Sequence, residues 1–138
     1  MTPPTDPAPG QTGPGGEAPP AVSVCLTLRK RSEFLRAAQA LRQGTPGFLL
    51  QARRRDPDEE GGAIRVGFTC SKKVGNSVTR NRARRRLREV ARAVLPLEGR
   101  PGWDYVLVGR PEATVTRDFR AMVDDLRRAL ATLARKTP

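Results

Sequence analysis

The chain has 138 residues, 37% of them hydrophobic and 29% charged, enough for one domain with a moderate core and too few for two. A formal net charge of +12 without a single histidine makes self-repulsion a cost of folding that a polyanion would relieve, and nucleic acid is the first partner to consider. Cys25 and Cys70 form no CxxC pair, which excludes a disulfide framework and an ordinary zinc site, and no run reaches the ~20 apolar residues of a spanning helix.

With no basic start followed by an apolar run of signal length, the expectation is a soluble protein of a reducing cytoplasm, away from membranes. Residues 1–20 hold seven Pro and four Gly, a composition that forms neither helix nor core, so they read as a disordered extension ahead of one domain over 21–138. Asp6 and Glu17 are the charges of that stretch, so the remainder carries 26 basic and 12 acidic side chains, and the polycation is the domain itself.

Ser32 to about Gln43 reads as the first helix, with Ser32 as N-cap, Phe34, Leu35, Ala38 and Leu41 on one side, and Gly44 as its stop. Phe48 to Ala52 reads as a strand, and the following RRRDPDEEGG marks an exposed hairpin connection. Ile64 to Cys70 alternates, with Ile64, Val66, Phe68 and Cys70 on one side and Arg65, Gly67 and Thr69 on the other, as a half-buried strand does.

A helix is expected from Asn76 or Ser77 to about Leu95, with Ala83, Leu87, Val90, Ala91 and Val94 inward and Pro96 beyond its end. Asp104 to Gly109 fits a buried strand. Arg117 to Arg135 gives the clearest helical period, through Phe119, Met122, Val123, Leu126, Leu130 and Leu133. The order predicts a small two-layer α+β domain with a central mixed sheet and about three flanking helices. Whether the strands on either side of the basic helix run parallel cannot be read from periodicity.

Between Ser71 and Arg92 nine positive side chains face one acid, Glu89. Arg80, Arg84 and Arg88 recur at i, i+4, i+8, and Asn81, Arg85 and Arg92 form an adjoining row. Like charges at that spacing disfavour an isolated helix by ~0.2–0.5 kcal/mol per pair, so an external anion is implied. Arginine suits phosphate because its planar fork binds two oxygens and can stack on bases. Lys72 and Lys73 precede a Gly75-Asn76 turn that lets backbone approach a ligand, and the helix N-terminus adds partial positive charge.

SKKVGNSVTRNRARRR, with RVGFTCSKK before it and WDYVLVGRPEA after it, resembles the RNR signature of the protein subunit of bacterial ribonuclease P, over roughly Leu26 to Leu133. The resemblance implies a left-handed strand–helix–strand crossover, contrary to the usual hand. It implies a partner, the catalytic RNA of ribonuclease P, and a substrate, precursor tRNA, whose 5′ leader is hydrolysed with Mg²⁺ held mainly by the RNA. On this analogy Lys72, Lys73, Gly75, Asn76, Arg80, Asn81, Arg82, Arg84, Arg85 and Arg88 meet the catalytic RNA. Phe34, Phe48, Gln51 and Arg53 would line the leader cleft, with no catalytic or metal-binding residue in the chain and no obligate protein partner. Two positions depart from the family pattern, where aromatics are common: Ala38, one turn after Phe34, and Gln51.

Three other readings compete. A protein-only nuclease needs an acid–base pair or a carboxylate metal site, whereas Asp124 and Asp125 are helix neighbours facing different ways, read as surface residues. A ribosomal protein or general RNA chaperone shares the composition but not the motif order. DNA binding lacks a helix-turn-helix pattern.

Overall fold

In the computed structural model, residues 25–56 and 62–136 are described; the Pro/Gly-rich extension and the middle of the RRRDPDEEGG connection lie outside them. The elements in order are β1 (Cys25–Thr27), α1 (Arg31–Gln39), β2 (Leu41–Gly44), β3 (Phe48–Arg54), β4 (Ile64–Thr69), a 3₁₀ turn (Lys72–Val74), α2 (Ser77–Glu98), β5 (Trp103–Gly109), the short α3 (Ala113–Thr116) and α4 (Phe119–Lys136). They form an α+β domain around a five-stranded mixed sheet of order β1-β4-β5-β3-β2.

β4 and β5 run parallel and adjacent, joined through α2, while β5–β3 and β3–β2 are antiparallel. The expected β3–β4 hairpin is therefore corrected, because β5 inserts between the two strands and takes the hydrogen bonds of both. In the sequence, Pro57 and Gly61-Gly62 signal a connection without saying which strand fills the gap.

Strand parity divides the apolar residues between two faces. Phe48, Leu50, Ala52, Ile64, Val66, Trp103, Tyr105 and Leu107 pack with Ala83, Leu87, Val90 and Val94 of α2 and Met122, Leu126 and Leu130 of α4 in the main core. The opposite face holds a small cluster of Leu28, Ala37 and Val106, with Phe34 and Val108 against it, under α1. Two helices thus cover one face, and α1 partly covers the other.

Several element bounds differ from expectation for local reasons. α1 ends at Gln39, and Leu41, expected on its apolar side, belongs to the edge strand β2 that pairs with β3. Its start is set by Glu33, whose Oε1 accepts the N–H groups of Arg29 and Lys30 at 3.2 and 3.1 Å, so Lys30 rather than Ser32 precedes the helix. Leu35 is 49% exposed, and Ala37 is the buried residue of this helix. α2 continues through Pro96 to Glu98, and the Gly99 N–H closes on the Leu95 carbonyl at 2.8 Å. α4 begins one residue after Asp118, whose carboxylate accepts the Ala121 N–H at 3.1 Å as an N-cap. Asp125, read as a surface residue, is 1% exposed and receives the Arg117 fork at 2.8 and 3.2 Å. Among the described residues no helix is long and apolar enough to cross a membrane.

Candidate nucleic-acid interface

The basic segment is held on rigid backbone from its first residue. Ser71 Oγ accepts the Lys73 N–H at 3.3 Å and starts the 3₁₀ turn. Gly75 has φ 149°, and a Cβ there would lie 2.9 Å from two carbons of Thr79, so glycine is required for the chain to enter α2. Asn76 Oδ1 accepts the Thr79 N–H at 2.9 Å and caps the helix. Gly75 and Asn76, expected to touch RNA, thus have structural duties at the helix entrance.

From that entrance α2 buries Ala83, Leu87, Val90, Ala91, Val94 and Leu95, and this fixes the rotation of every arginine. Asn81, Arg82, Arg85 and Arg88 are exposed; Arg80 and Arg84 are half-buried, on the row nearer the sheet. There Arg84 and Arg80 face the buried Cys70 thiol. Burial pushes that thiol above its ordinary value, and the two guanidinium groups with the Gly109 amide offset part of the rise. Arg84 donates to Asn81 Oδ1 at 2.9 Å and Arg80 to Ser77 Oγ at 3.3 Å. These contacts orient cations without neutralising them.

Among the described residues, Lys72, Lys73, Arg80, Arg82, Arg84, Arg85 and Arg88 have no carboxylate partner. Arg92 pairs with Glu89 at 3.6 Å, but both side chains are more than half exposed, a geometry of little energetic weight. Arg86 is different: it donates to the Thr114 and Arg117 carbonyls at 2.9 and 2.6 Å and ties α2 to α3. Nothing in the spacing of consecutive arginines distinguishes this anchor from its neighbours. Only the inward rotation of the helix does.

The other expected group divides. Gln51 lies opposite Val106 and Val106 opposite Gly67, while Arg53 lies opposite Asp104 and Asp104 opposite Arg65, so these rows share the face that α1 crosses. The half-buried Phe34 ring lies over Gly67; a Cβ built there would be 2.4 Å from its Cε1. Phe34, Gln51 and Arg53 are therefore on one side of the sheet. Phe48 is corrected: it is fully buried on the other side, in the main core, and offers no ring to a ligand. Its parity with Leu50 and Ala52 was readable; which parity faced α1 was not.

Sequence reading missed the ionic hub beside this face. Asp104, completely buried, accepts Arg65 Nε at 2.7 Å and NH2 at 2.8 Å, and Arg55 NH1 at 2.6 Å, with Arg53 at 3.6 Å. Arg65 also reaches Glu33 Oε2 at 2.7 Å, which fastens α1 across the strands. Burial alone would raise the Glu33 carboxyl, but the Lys30 and Arg29 amides and the Arg65 charge together hold it below its usual range. The signal was present as an acid at the start of an apolar strand.

The comparisons with known proteins agree with this geometry. A sequence model of the family described as Ribonuclease P matches residues 23–134. The chain is 63% identical over 125 residues to a ribonuclease P protein component of Ruegeria pomeroyi, covering 87% of this chain and 99% of the relative. It is 49% identical over 107 residues to one from Caulobacter vibrioides, covering 78% and 70%. The fold is similar to that of the RNase P protein from Thermotoga maritima, with TM-score 0.62 and 24% identity over 77% of this chain and 96% of the other. It is also similar to the Staphylococcus aureus RNase P protein, with TM-score 0.58 and 20% identity over 78% and 94%. A match over most of the length, together with the exposed arginine face that the RNR segment builds, shows that the chain belongs to the ribonuclease P protein family.

Proposed function

We infer that this chain works as the protein subunit of a cytoplasmic ribonuclease P ribonucleoprotein, binding the catalytic RNA through α2 and the 5′ leader of precursor tRNA across the α1 face of the sheet. The observation that carries the reading is the ordered cationic surface from Lys72 to Arg88, whose charges have no carboxylate partners among the described residues. Such a surface binds phosphates and positions a folded RNA; it supplies no group that cleaves one. On the other face, Phe34 offers a partly exposed ring, Gln51 a neutral hydrogen-bonding amide and Arg53 a charge, which suits a single strand.

Among the described residues, the buried and half-buried carboxylates are not arranged as an all-protein Mg²⁺ cage. No three carboxylates or thiols come together, and Asp104, Asp125 and Glu33 direct their oxygens at arginines and amides. The contribution of this chain is therefore derived without a metal on it: it lowers repulsion between RNA segments and holds the leader near the RNA. Mg²⁺ belongs, in this reading, to the RNA.

Reconstitution tests the proposal. Added to the catalytic RNA at low Mg²⁺, the chain is expected to stimulate leader removal from precursor tRNA and to cleave nothing alone. Arg82→Ala with Arg85→Ala should weaken catalytic-RNA binding and reduce the slope of log K against log salt by about 0.7–0.9 for each phosphate that is no longer neutralised. Cleavage by the protein alone, or an unchanged slope in the double variant, would overturn the assignment.

A further inference from the structure

The cationic row of α2 does not stop at the basic signature. Arg88 and Arg92 continue the i, i+4 spacing of Arg80 and Arg84, and they border a cavity of about 170 Å³ between α2 and the β1–β4 edge of the sheet. Its floor is apolar, from Val66, Phe68 and Ala91, Thr27 stands at its strand-side rim, and no acid lines it. Ligand sites for drug-sized molecules run to about 300–1,000 Å³, so this space suits a single planar ring.

Two details say what kind of ring. The Arg88 guanidinium carbon lies over the Phe68 ring, 5.6 Å from its centroid and within cation–π range, so a cation and an aromatic ring meet at one wall of the cavity. Arg92, 69% exposed and only loosely paired to Glu89, stands beside it with a charge available to an anion. An apolar slot walled by an aromatic ring and a guanidinium, with a second cation at its mouth, matches a base with its phosphate. Regular duplex keeps its bases stacked inside and cannot fill such a slot; an unpaired nucleotide can.

We propose that this cavity receives one unpaired nucleotide of the catalytic RNA, the base lying against Phe68 and Arg88 and the phosphate on Arg92. The inference rests on the reading of α2 as the catalytic-RNA surface. It assigns the nucleotide to that RNA rather than to the precursor because the cavity is continuous with α2 and lies on the sheet face opposite Phe34, Gln51 and Arg53.

The test uses the full chain reconstituted with catalytic RNA, with Thr27 replaced by a photo-cross-linking phenylalanine analogue. One cross-link to an unpaired nucleotide of that RNA is expected. Cross-links to the leader, to residues preceding Cys25 or to paired nucleotides, or no cross-link, would overturn the proposal. Phe68→Leu should weaken catalytic-RNA binding about fivefold or more, as removal of one stacked base implies, without changing the salt slope. Thr27→Glu, at an exposed edge position, should weaken binding comparably and leaves the core untouched if Phe68→Leu folds poorly. If both variants bind normally while Arg82→Ala with Arg85→Ala weakens binding, the cavity assignment alone fails. If none of the substitutions matters, the α2 reading fails with it.

Discussion

Asp104 neutralises part of a charge cluster that the sheet could not otherwise bury. With Arg55 3% and Asp104 0% exposed at the side chain, removing the carboxylate takes from an interior guanidinium the acid that sits 2.6 Å away. Asp104→Asn should cost about 3–5 kcal/mol, the range for breaking a buried pair from one side, and denaturant unfolding at pH 7 measures it. Arg65→Ala is expected to be milder, since its side chain is 21% exposed and Arg55 stays on Asp104. At Gly67 space is the deciding quantity. Gly67→Ala would push the Phe34 ring, a movable group, off its seat. The expected outcome is a folded protein with a slightly lower Tm, severalfold weaker leader binding and unchanged affinity for the catalytic RNA. Calorimetry and separate titrations with each RNA distinguish this from general loss of structure.

Among the elements, α1 depends on one side chain for both its start and its placement. Glu33 accepts two amides at the helix entrance and Arg65 from the sheet, and its carboxyl is held below the ordinary range. A carboxyl depressed on folding contributes stability that is complete above its unfolded value, about 4.3 for glutamate, and is lost as pH falls through the lower folded value. Glu33→Gln should therefore lower stability at pH 7 and flatten its acid limb, as read by Tm against pH. The same element shows where sequence was insufficient. Its apolar spacing identified a helix near Ser32, but Leu41 and Gly44 fitted a helix end as well as a four-residue edge strand, and only pairing with β3 decides between them. β1, three residues long, left no periodic trace. α2 and α4 were legible because each repeats one apolar stripe over four or more turns, although Phe119 proved 41% exposed and Pro96 did not end α2. The arginine array was readable by count. The separation of Arg86, turned inward, from Arg82 and Arg85, turned outward, needed the helix rotation that packing supplies.

At the scale of the whole molecule, the surplus of positive charge resides in the domain rather than in residues 1–20. Deleting residues 1–18 should leave catalytic-RNA affinity and its salt dependence unchanged within error, as measured by filter binding over a salt series. A marked fall in the slope would assign RNA contacts to the extension. The two-layer α+β class was foreseeable from element order, whereas the direction and place of β5 were not, because a strand's neighbours are chosen by every other strand together.

That central place has a consequence for biosynthesis. β3 and β4 each wait for the same partner, and it is made only after the arginine-rich α2. A nascent chain leaving the ribosome therefore presents its most cationic helix to a polyanionic surface before the sheet beneath it can close. Closure of the sheet must follow synthesis of β5 and then α4, and long-range pairing of this kind is intrinsically slow.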